Sequence, residues 1–358
     1  MRLDRLWLTD FRNYASAELT PAPAGLTVVH GANGEGKTSL LEAIGYLATL
    51  TSFRGVPNDA LVRMGAEAAV VRAEGEREGR SLLIEAALQR SGRDRVMVNR
   101  QPLRRTRDLV GYLQASVFSP DDLALVKGGP AGRRRYLDDA LVAVHPKNDL
   151  LQSDLDRVLR QRNTLLKQAG GRVTAEVGAT LDVWDTKLAD LGDRVAALRT
   201  GLVMRLQPEL AKAYDQVASA SAQVEATYEP SWVGPLAEAL ARSRTDDIRR
   251  GVSTVGPHRD ELGLVIAGLP ARTHASQGEQ RSLALALRLA AHGVVTEEAG
   301  SSPILLLDDV FSELDPDRAE ALVAHLPVGQ ALLTTAGPVP AGARPALVIR
   351  VQGGRIVA

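Results

Sequence analysis

The eight residues Gly31-Ala32-Asn33-Gly34-Glu35-Gly36-Lys37-Thr38 read G-x-x-x-x-G-K-T. That spacing suits a triphosphate. Phosphate oxygens need several N–H donors at close range, and side chains would keep the backbone away from them. Glycines at 31, 34 and 36 remove that obstruction. Lys37 can reach the β- and γ-phosphates as a point charge, and the Thr38 hydroxyl suits Mg2+. A second group lies far along the chain, where Ile304-Leu305-Leu306-Leu307 runs into Asp308-Asp309. One carboxylate can hold Mg2+ and the other can polarise an attacking water. A third is Ser276-Gln277-Gly278-Glu279, which has capping-box spacing. The cap accounts for Ser276 and Glu279. It does not account for Gly278, a poor helix former in a first turn. Glycine there fits a place where something approaches the backbone closely, and a helix N-terminus carrying a free serine hydroxyl suits a phosphate.

These groups need elements that place them. Leu26–His30 is a short apolar, β-branched strand, and Leu40, Leu41, Ile44, Leu47 and Ala48 have helical spacing. The glycines therefore occupy a strand-to-helix turn. Burying the run from Ile304 sets Asp308 and Asp309 at the C-terminal edge of its strand, where α/β sheets bind ligands. A helix over 317–326 and a strand over 331–335 complete a βαβ unit, and 346–351 with 355–357 form a hairpin across Gly353-Gly354. Near the start, a strand over 1–9 leads into Phe11-Arg12-Asn13-Tyr14, where Arg12 and Asn13 are either turn residues or nucleotide contacts. Strands over 68–73, 81–89 and 95–99 form an antiparallel meander.

The middle of the chain changes character. Leu151, Leu155, Val158, Leu159, Leu165 and Leu166 form one helical stripe, broken at Gly170-Gly171. Leu181, Trp184, Leu188, Leu191, Val195, Leu198 and Leu202 then recur at steps of three and four, a heptad seam. Two such helices would pack as an antiparallel hairpin. Residues 228–250 read as mixed and loop-rich, and strands return at Val252–Val255 and Leu262–Ile266. The expected organisation is an α/β head built from residues 1–125 and 251–358, with a helical insertion over 126–250.

With 358 residues, 45% of them hydrophobic, the chain can bury a substantial core. Net charge is zero, so no global field announces nucleic acid; local clusters at Arg104 and Arg105 and at Arg133, Arg134 and Arg135 are the candidates for DNA phosphates. There is no cysteine, and the six histidines lack metal-ligand spacing. No apolar run reaches membrane length and no signal-peptide pattern opens the chain, so a cytoplasmic protein without a membrane partner is expected.

The loop Gly31–Thr38, the segment Ser276–Glu279, the run Ile304–Asp309 and Ser312–Asp315 together resemble the nucleotide site of ABC-type ATPases, in the order found in the SMC and Rad50 branch. With Asp10–Tyr14, Ser52-Phe53-Arg54 and the stretch 118–135, the chain is similar to the RecF family of recombination mediators. The resemblance implies ATP and Mg2+ as cofactors and an ATP-dependent homodimer. Gly31, Ala32, Asn33, Gly34, Glu35, Gly36, Lys37, Thr38, Arg12 and Asn13 would hold the nucleotide of one chain. Ser276, Gln277, Gly278 and Glu279 of a second chain would close over it, with Asp315 at the seam. Thr38 and Asp308 would serve the metal, and Asp309 with Lys37 the chemistry. It further implies a slow, DNA-stimulated ATPase acting as a dimerisation switch, which binds duplex and gapped or junction DNA, recruits RecR, and with RecO helps RecA displace single-strand-binding protein. The chain departs from the usual pattern in places, with Gln277 and Glu279 in the signature where many relatives have other residues. Asp309 stands where a glutamate is usual, Thr334-Thr335 where a histidine is usual, and the lobe-linking glutamine is unassigned, with Gln101 and Gln114 as weak candidates. The alternative implied by the same motifs is an ABC ATPase subunit coupled to a membrane or other protein partner.

Overall fold

The computed structural model describes residues 1–172, 174–218 and 220–357, the side chain of Glu313 excepted. The chain divides into two compact units: Met1–Leu123 with Lys212–Ala222 and Ser276–Ala358, and Ala124–Ala211 with Gln223–Ala275. The first segment runs β1 (Arg2–Phe11), β2 (Tyr14–Leu19), β3 (Gly25–His30), α1 (Lys37–Thr49), β4 (Ala68–Arg77), β5 (Arg80–Gln89), β6 (Arg95–Val98), β7 (Gln101–Pro102) and β8 (Ala115–Phe118). Then come α2 (Leu123–Lys127), α3 (Pro130–Val144), α4 (Asn148–Ala169), α5 (Ala175–Val217), β9 (Val224–Glu229), α6 (Leu236–Arg250), β10 (Glu261–Ile266), β11 (Leu269–Pro270) and α7 (Ala271–His274). The last segment is α8 (Gln277–Ala299), β12 (Ile304–Asp308), α9 (Pro316–Ala324), β13 (Gln330–Thr335), β14 (Leu347–Gln352) and β15 (Arg355–Val357).

The first unit holds two sheets. One is mixed, with strand order β15-β14-β3-β13-β12-β8. Every residue of β12 and β13 is buried, which is why neither strand alternates and β12 reads as an apolar run up to Asp308; the polar residues of β13, Gln330 and Thr334 among them, are hydrogen-bonded instead. The strands from β14 to β8 are parallel, so their C-terminal ends share one edge. Along that edge the chain leaves β3 into the glycine loop and leaves β12 at Asp308. The other sheet is antiparallel, in order β2-β1-β4-β5-β6-β7, and alternates buried and half-buried residues along β4 as a one-faced sheet must. Helix α1 contacts strands of both sheets, and its Leu40, Leu41, Ala43, Ile44, Tyr46 and Leu47 are all fully buried. A helix apolar on every side belongs between layers. Gln330 ties the sheets together: its side chain accepts from Leu3 N at 2.7 Å and donates to the carbonyls of Leu3 and Ala22 at 2.8 and 2.7 Å, so its buried amide is satisfied.

The second unit carries the heptad seam. Leu181, Leu188, Val195 and Leu202 of α5 are buried, with Trp184, Leu191 and Leu198 packed alongside. The expected pair of helices is a trio. Leu236, Ala239 and Leu240 of α6 enter the same core as Leu151, Leu155, Val158 and Leu159 of α4. The stretch read as loop-rich is thus β9 and α6. Arg162 is fully buried among these helices and is held by Asp185 at 2.7 Å and Asp247 at 2.8 Å, the pairing a buried cation requires.

The boundary expected at 250/251 lies at 275/276 instead. No strand forms over Val252–Val255, and β10 pairs with β9 and β11 in a separate three-stranded sheet. Its hydrogen-bonding partner is therefore local rather than the mixed sheet. The chain also returns to the first unit earlier, over Lys212–Ala222, because α5 continues past the end of its seam.

Candidate functional site

Gly36 ends the glycine loop with φ 108°, a conformation open to glycine, and α1 begins at Lys37. A Cβ at 36 would come within 2.5 Å of Asn13 Nδ2. The loop is buttressed from behind. Asn13 Nδ2 donates to Glu35 O at 3.1 Å, and the Tyr14 hydroxyl donates to Gly36 O at 3.1 Å. From the β14–β15 turn, Gly354 N donates to Glu35 O at 3.2 Å and Gly353 N donates to the Glu35 carboxylate. Lys37, 6% exposed, rests its ammonium on Ala32 O at 2.9 Å. Asn33, Gly34, Gly36, Lys37, Thr38 and Asp309 share one cleft of ≈ 700 Å³ with Arg12, Asn13 and Arg54.

Asp308 sits at the end of β12 in register with Thr334 of β13. Its Oδ1 accepts from Thr38 Oγ1 at 2.8 Å and from Thr334 Oγ1 at 2.7 Å. Burial pushes this carboxyl above the ordinary aspartate value, against the pull of the two hydroxyls. A buried carboxylate beside a hydroxyl, with only neutral hydrogen-bond partners, is a hard-oxygen set that suits Mg2+. Among the described residues no group of three or more His, Cys, Asp or Glu side chains could hold a metal alone. Mg2+ at Thr38 and Asp308 would accordingly complete its shell with phosphate oxygens and water, as it usually does. Asp309 adopts φ 47°, and its N–H is pinned by Thr334 O at 3.2 Å and Thr334 Oγ1 at 2.9 Å. Thr334 therefore holds both aspartates. Sequence reasoning met it only as a missing histidine; its register opposite Asp308 gives it this role.

Arg12 and Asn13 both line the cleft, but each also has a structural partner. Arg12 donates to both oxygens of Glu42, at 2.7 and 2.6 Å, and to Ala60 O at 3.0 Å. Glu42, fully buried on α1, also accepts from Ser52 Oγ and lies 3.9 Å from Arg54. Of this cluster the sequence marks only Ser52-Phe53-Arg54 as a motif; Glu42, inside an apolar helix, carries no signal of its own.

The capping box expected at Ser276 is present: Ser276 Oγ accepts from Glu279 N at 3.3 Å, and Ser276 N donates to Glu279 Oε2 at 2.7 Å. Those bonds hold the Glu279 carboxyl below its ordinary value. Ser276 and Gln277 are exposed, and among the described residues none of Ser276–Glu279 lines the cleft. What approaches Gly278 is the Arg318 guanidinium, whose Nη2 lies 2.8 Å from where a Cβ would be. Asp315 caps α9 by accepting from Arg318 N at 3.0 Å, which lowers its pKa.

Two candidates for DNA are corrected. Arg133 is 5% exposed; it pairs with Glu261 at 2.6 Å and donates to the carbonyls of Leu125 and Gly128. Arg134 is half-buried and donates to Asp260 O at 2.8 Å. The run reads as a solvated charge cluster, but helix α3 turns its first two arginines inward. Arg135, Arg104 and Arg105 are exposed. Gln114 precedes β8, at the strand end opposite the shared ligand edge, and Gln101 lies on the edge strand β7.

The model of the RecF/RecN/SMC N terminal domain matches residues 2–331. A DNA replication and repair protein RecF of Streptomyces avermitilis is 45% identical over 352 residues, covering 94% of this chain and 93% of its own. That of Arthrobacter sp. FB24 is 42% identical, with the same coverage. The chain belongs to the RecF family. Two solved structures described as the recombination mediator protein RecF in the RecFOR pathway, one RecF-ATP and one RecF-ATPrS, give TM-scores of 0.91 and 0.90 at 28% identity, covering 99% of this RecF-family chain and 97% of theirs. An Smc head from Pyrococcus furiosus, at 16% identity and TM-score 0.58, shares the fold. The family is one of DNA replication and repair ATPases, and the membrane-coupled alternative is not favoured by these matches. No helix among the described residues is long and apolar enough to cross a membrane.

Proposed function

We propose that this chain is an ATP-clamped dimer that binds DNA at gaps and junctions and, with RecR and RecO, promotes RecA loading. One observation carries the reading. A single polypeptide presents the phosphate loop, Thr38 and Asp309 in one cleft, with Asp308 bonded to Thr38 behind it, while the exposed Ser276 cap lies outside that cleft's lining. Two separate anion-binding features on each chain are both satisfied twice in a two-fold dimer with ATP between them.

In this reading the loop amides and Lys37 hold the β- and γ-phosphates. Thr38 and Asp308 would hold Mg2+, which neutralises charge on those phosphates. Asp309 orients the attacking water, and its backbone is fixed for that task by Thr334. Ser276 and Gly278 of the second chain contact the γ-phosphate, and Asp315 lies at the seam. An aspartate is one methylene shorter than the glutamate usual in ABC transporters, which fits slow turnover and a switch rather than a motor. Hydrolysis removes the phosphate that bridges the chains and so releases them. Arg135, Arg104 and Arg105 are the DNA contacts proposed.

Sedimentation with and without a non-hydrolysable ATP analogue tests the reading. The analogue should produce a dimer, and Ser276→Arg should abolish it while nucleotide still binds. A mass unmoved by ATP at every concentration would end the proposal.

A further inference from the structure

Arg318 is a residue that neither the phosphate-loop motifs nor the capping signature points to. It lies in the first turn of α9 with its side chain 18% exposed, and it makes three separate contacts. Its Nε donates to Ser282 Oγ on α8 at 3.0 Å. Its Nη1 pairs with the Asp315 carboxylate. Its remaining edge lies under Gly278, where any other residue's Cβ would come within 2.8 Å of Nη2 and 3.1 Å of Cζ. Ser282 is fully buried and donates in turn to Val217 O at 3.4 Å. The guanidinium is thus fixed to a buried anchor on one side and to the α9 cap on the other.

The position is unusual electrostatically. A helix N-terminus carries partial positive charge, so a cation beneath the first turn of α8 is unfavourable there by itself. The fork to Asp315 and Ser282 offsets that cost, and it does so only while α8 and the Asp315 loop keep their present relation. A rigid planar fork transmits position in a way that a lysine ammonium does not.

We propose that Arg318 is a positioning residue that sets the Ser276–Gly278 cap and the Asp315 loop as one unit, so that a second copy of this chain meets both in fixed register. The inference rests on the reading of Ser276 and Gly278 as a surface that closes over a partner's nucleotide. Arg318 itself need not touch the nucleotide. Gly278 is glycine because the guanidinium must lie directly against α8, which answers the question its helix-breaking propensity raised.

The test uses the full chain and a non-hydrolysable ATP analogue, with dimer dissociation read by sedimentation and monomer nucleotide affinity read by a fluorescent ATP at low protein concentration. Arg318→Ala should weaken the dimer about tenfold or more, the scale of one lost charge-assisted hydrogen bond, with monomer nucleotide affinity changed less than about twofold. Arg318→Lys should recover only part of the loss, and Ser282→Ala, which removes one tether, should weaken the dimer several-fold. Wild-type dimerisation of Arg318→Ala, or equal loss of dimer and of monomer nucleotide binding, would overturn the assignment. Full recovery by lysine would overturn it too. Ser276→Arg serves as the separate control: if it leaves the dimer intact, the underlying reading fails whatever Arg318 does, and if it abolishes the dimer while Arg318→Ala does not, only the present inference fails.

Discussion

Gly36→Ala is the sharpest perturbation available at the phosphate loop. Two costs can be worked from the geometry. At φ 108° an alanine sits in backbone space that costs about 1–3 kcal/mol for any residue with a Cβ. The new methyl also falls within 2.5 Å of Asn13 Nδ2 and 2.8 Å of Asn13 Oδ1, so Asn13 must swing away. That movement breaks its 3.1 Å bond to Glu35 O, worth about 1 kcal/mol. Together the penalty is about 2–4 kcal/mol, or roughly 30- to 1000-fold in ATP affinity if the loop must regain this shape to bind. The exposed loop can relax when empty, so the melting temperature should fall little. Calorimetric titration with Mg-ATP on Gly36→Ala, Asn13→Ala and the double variant separates the terms. Asn13→Ala alone should cost about fivefold, the bond alone. The double variant should bind better than the product of the two single losses, because the clash disappears, yet still worse than Asn13→Ala, because the backbone cost remains. Gly36→Ala that binds ATP within threefold of wild type, or strict additivity in the double variant, would refute this account of the loop.

Three further outcomes are expected. Asp308→Asn keeps the shape of the Thr38–Asp308–Thr334 cluster but removes its charge, so ATP titrations should lose their Mg2+ dependence while affinity in EDTA stays near wild type; an equal loss in EDTA would count against a metal role. Arg133→Ala should destabilise the chain by roughly 3 kcal/mol in denaturant titration, through the stranded Glu261 partner, whereas Arg135→Glu with Arg104→Glu and Arg105→Glu should leave stability alone and flatten the salt dependence of DNA binding. His292 is held down to about 4 by burial between Ser116 and Ser302. The unfolded chain takes up that proton at the ordinary value of 6.5, so stability is full above that pH and declines as pH falls toward about 4, by roughly 3 kcal/mol in all. Denaturation at about pH 7 and about pH 5 should show the decline in wild type and a smaller one in His292→Asn.

Much of the site was legible because its chemistry is local in sequence. The glycine loop, the carboxylate pair after an all-apolar strand and the Ser276 cap each announce themselves within a few residues. What was not legible is the second layer, which is held by contacts between distant segments. Thr334 acts on Asp308 because two strands are in register, and Arg318 acts on Gly278 and Ser282 across a helix and a strand. Arg133 shows the converse: three consecutive arginines look like solvated charge, and only Glu261 on β10 reveals that one is buried. Helix α6 is hard to read because its apolar face is sparse, Leu236, Ala239 and Leu240 at one end and Ile248 at the other, in a segment otherwise dense with arginine and aspartate. The misplaced boundary has the same origin. A strand pattern at Leu262–Ile266 says that a strand exists, not which sheet receives it.

The mixed sheet has a consequence for how the protein is made. Its strand β3 emerges from the ribosome early, yet both neighbours it pairs with, β13 and β14, are synthesised only after the second unit and β12 are complete. Until then both rims of β3 lack their partners, and such rims recruit other chains. A nascent chain arrested before Gln330 is therefore a substrate for chaperones or proteases rather than half an ATPase, and two separately expressed pieces divided within the second unit would have to find each other before either could hold a nucleotide.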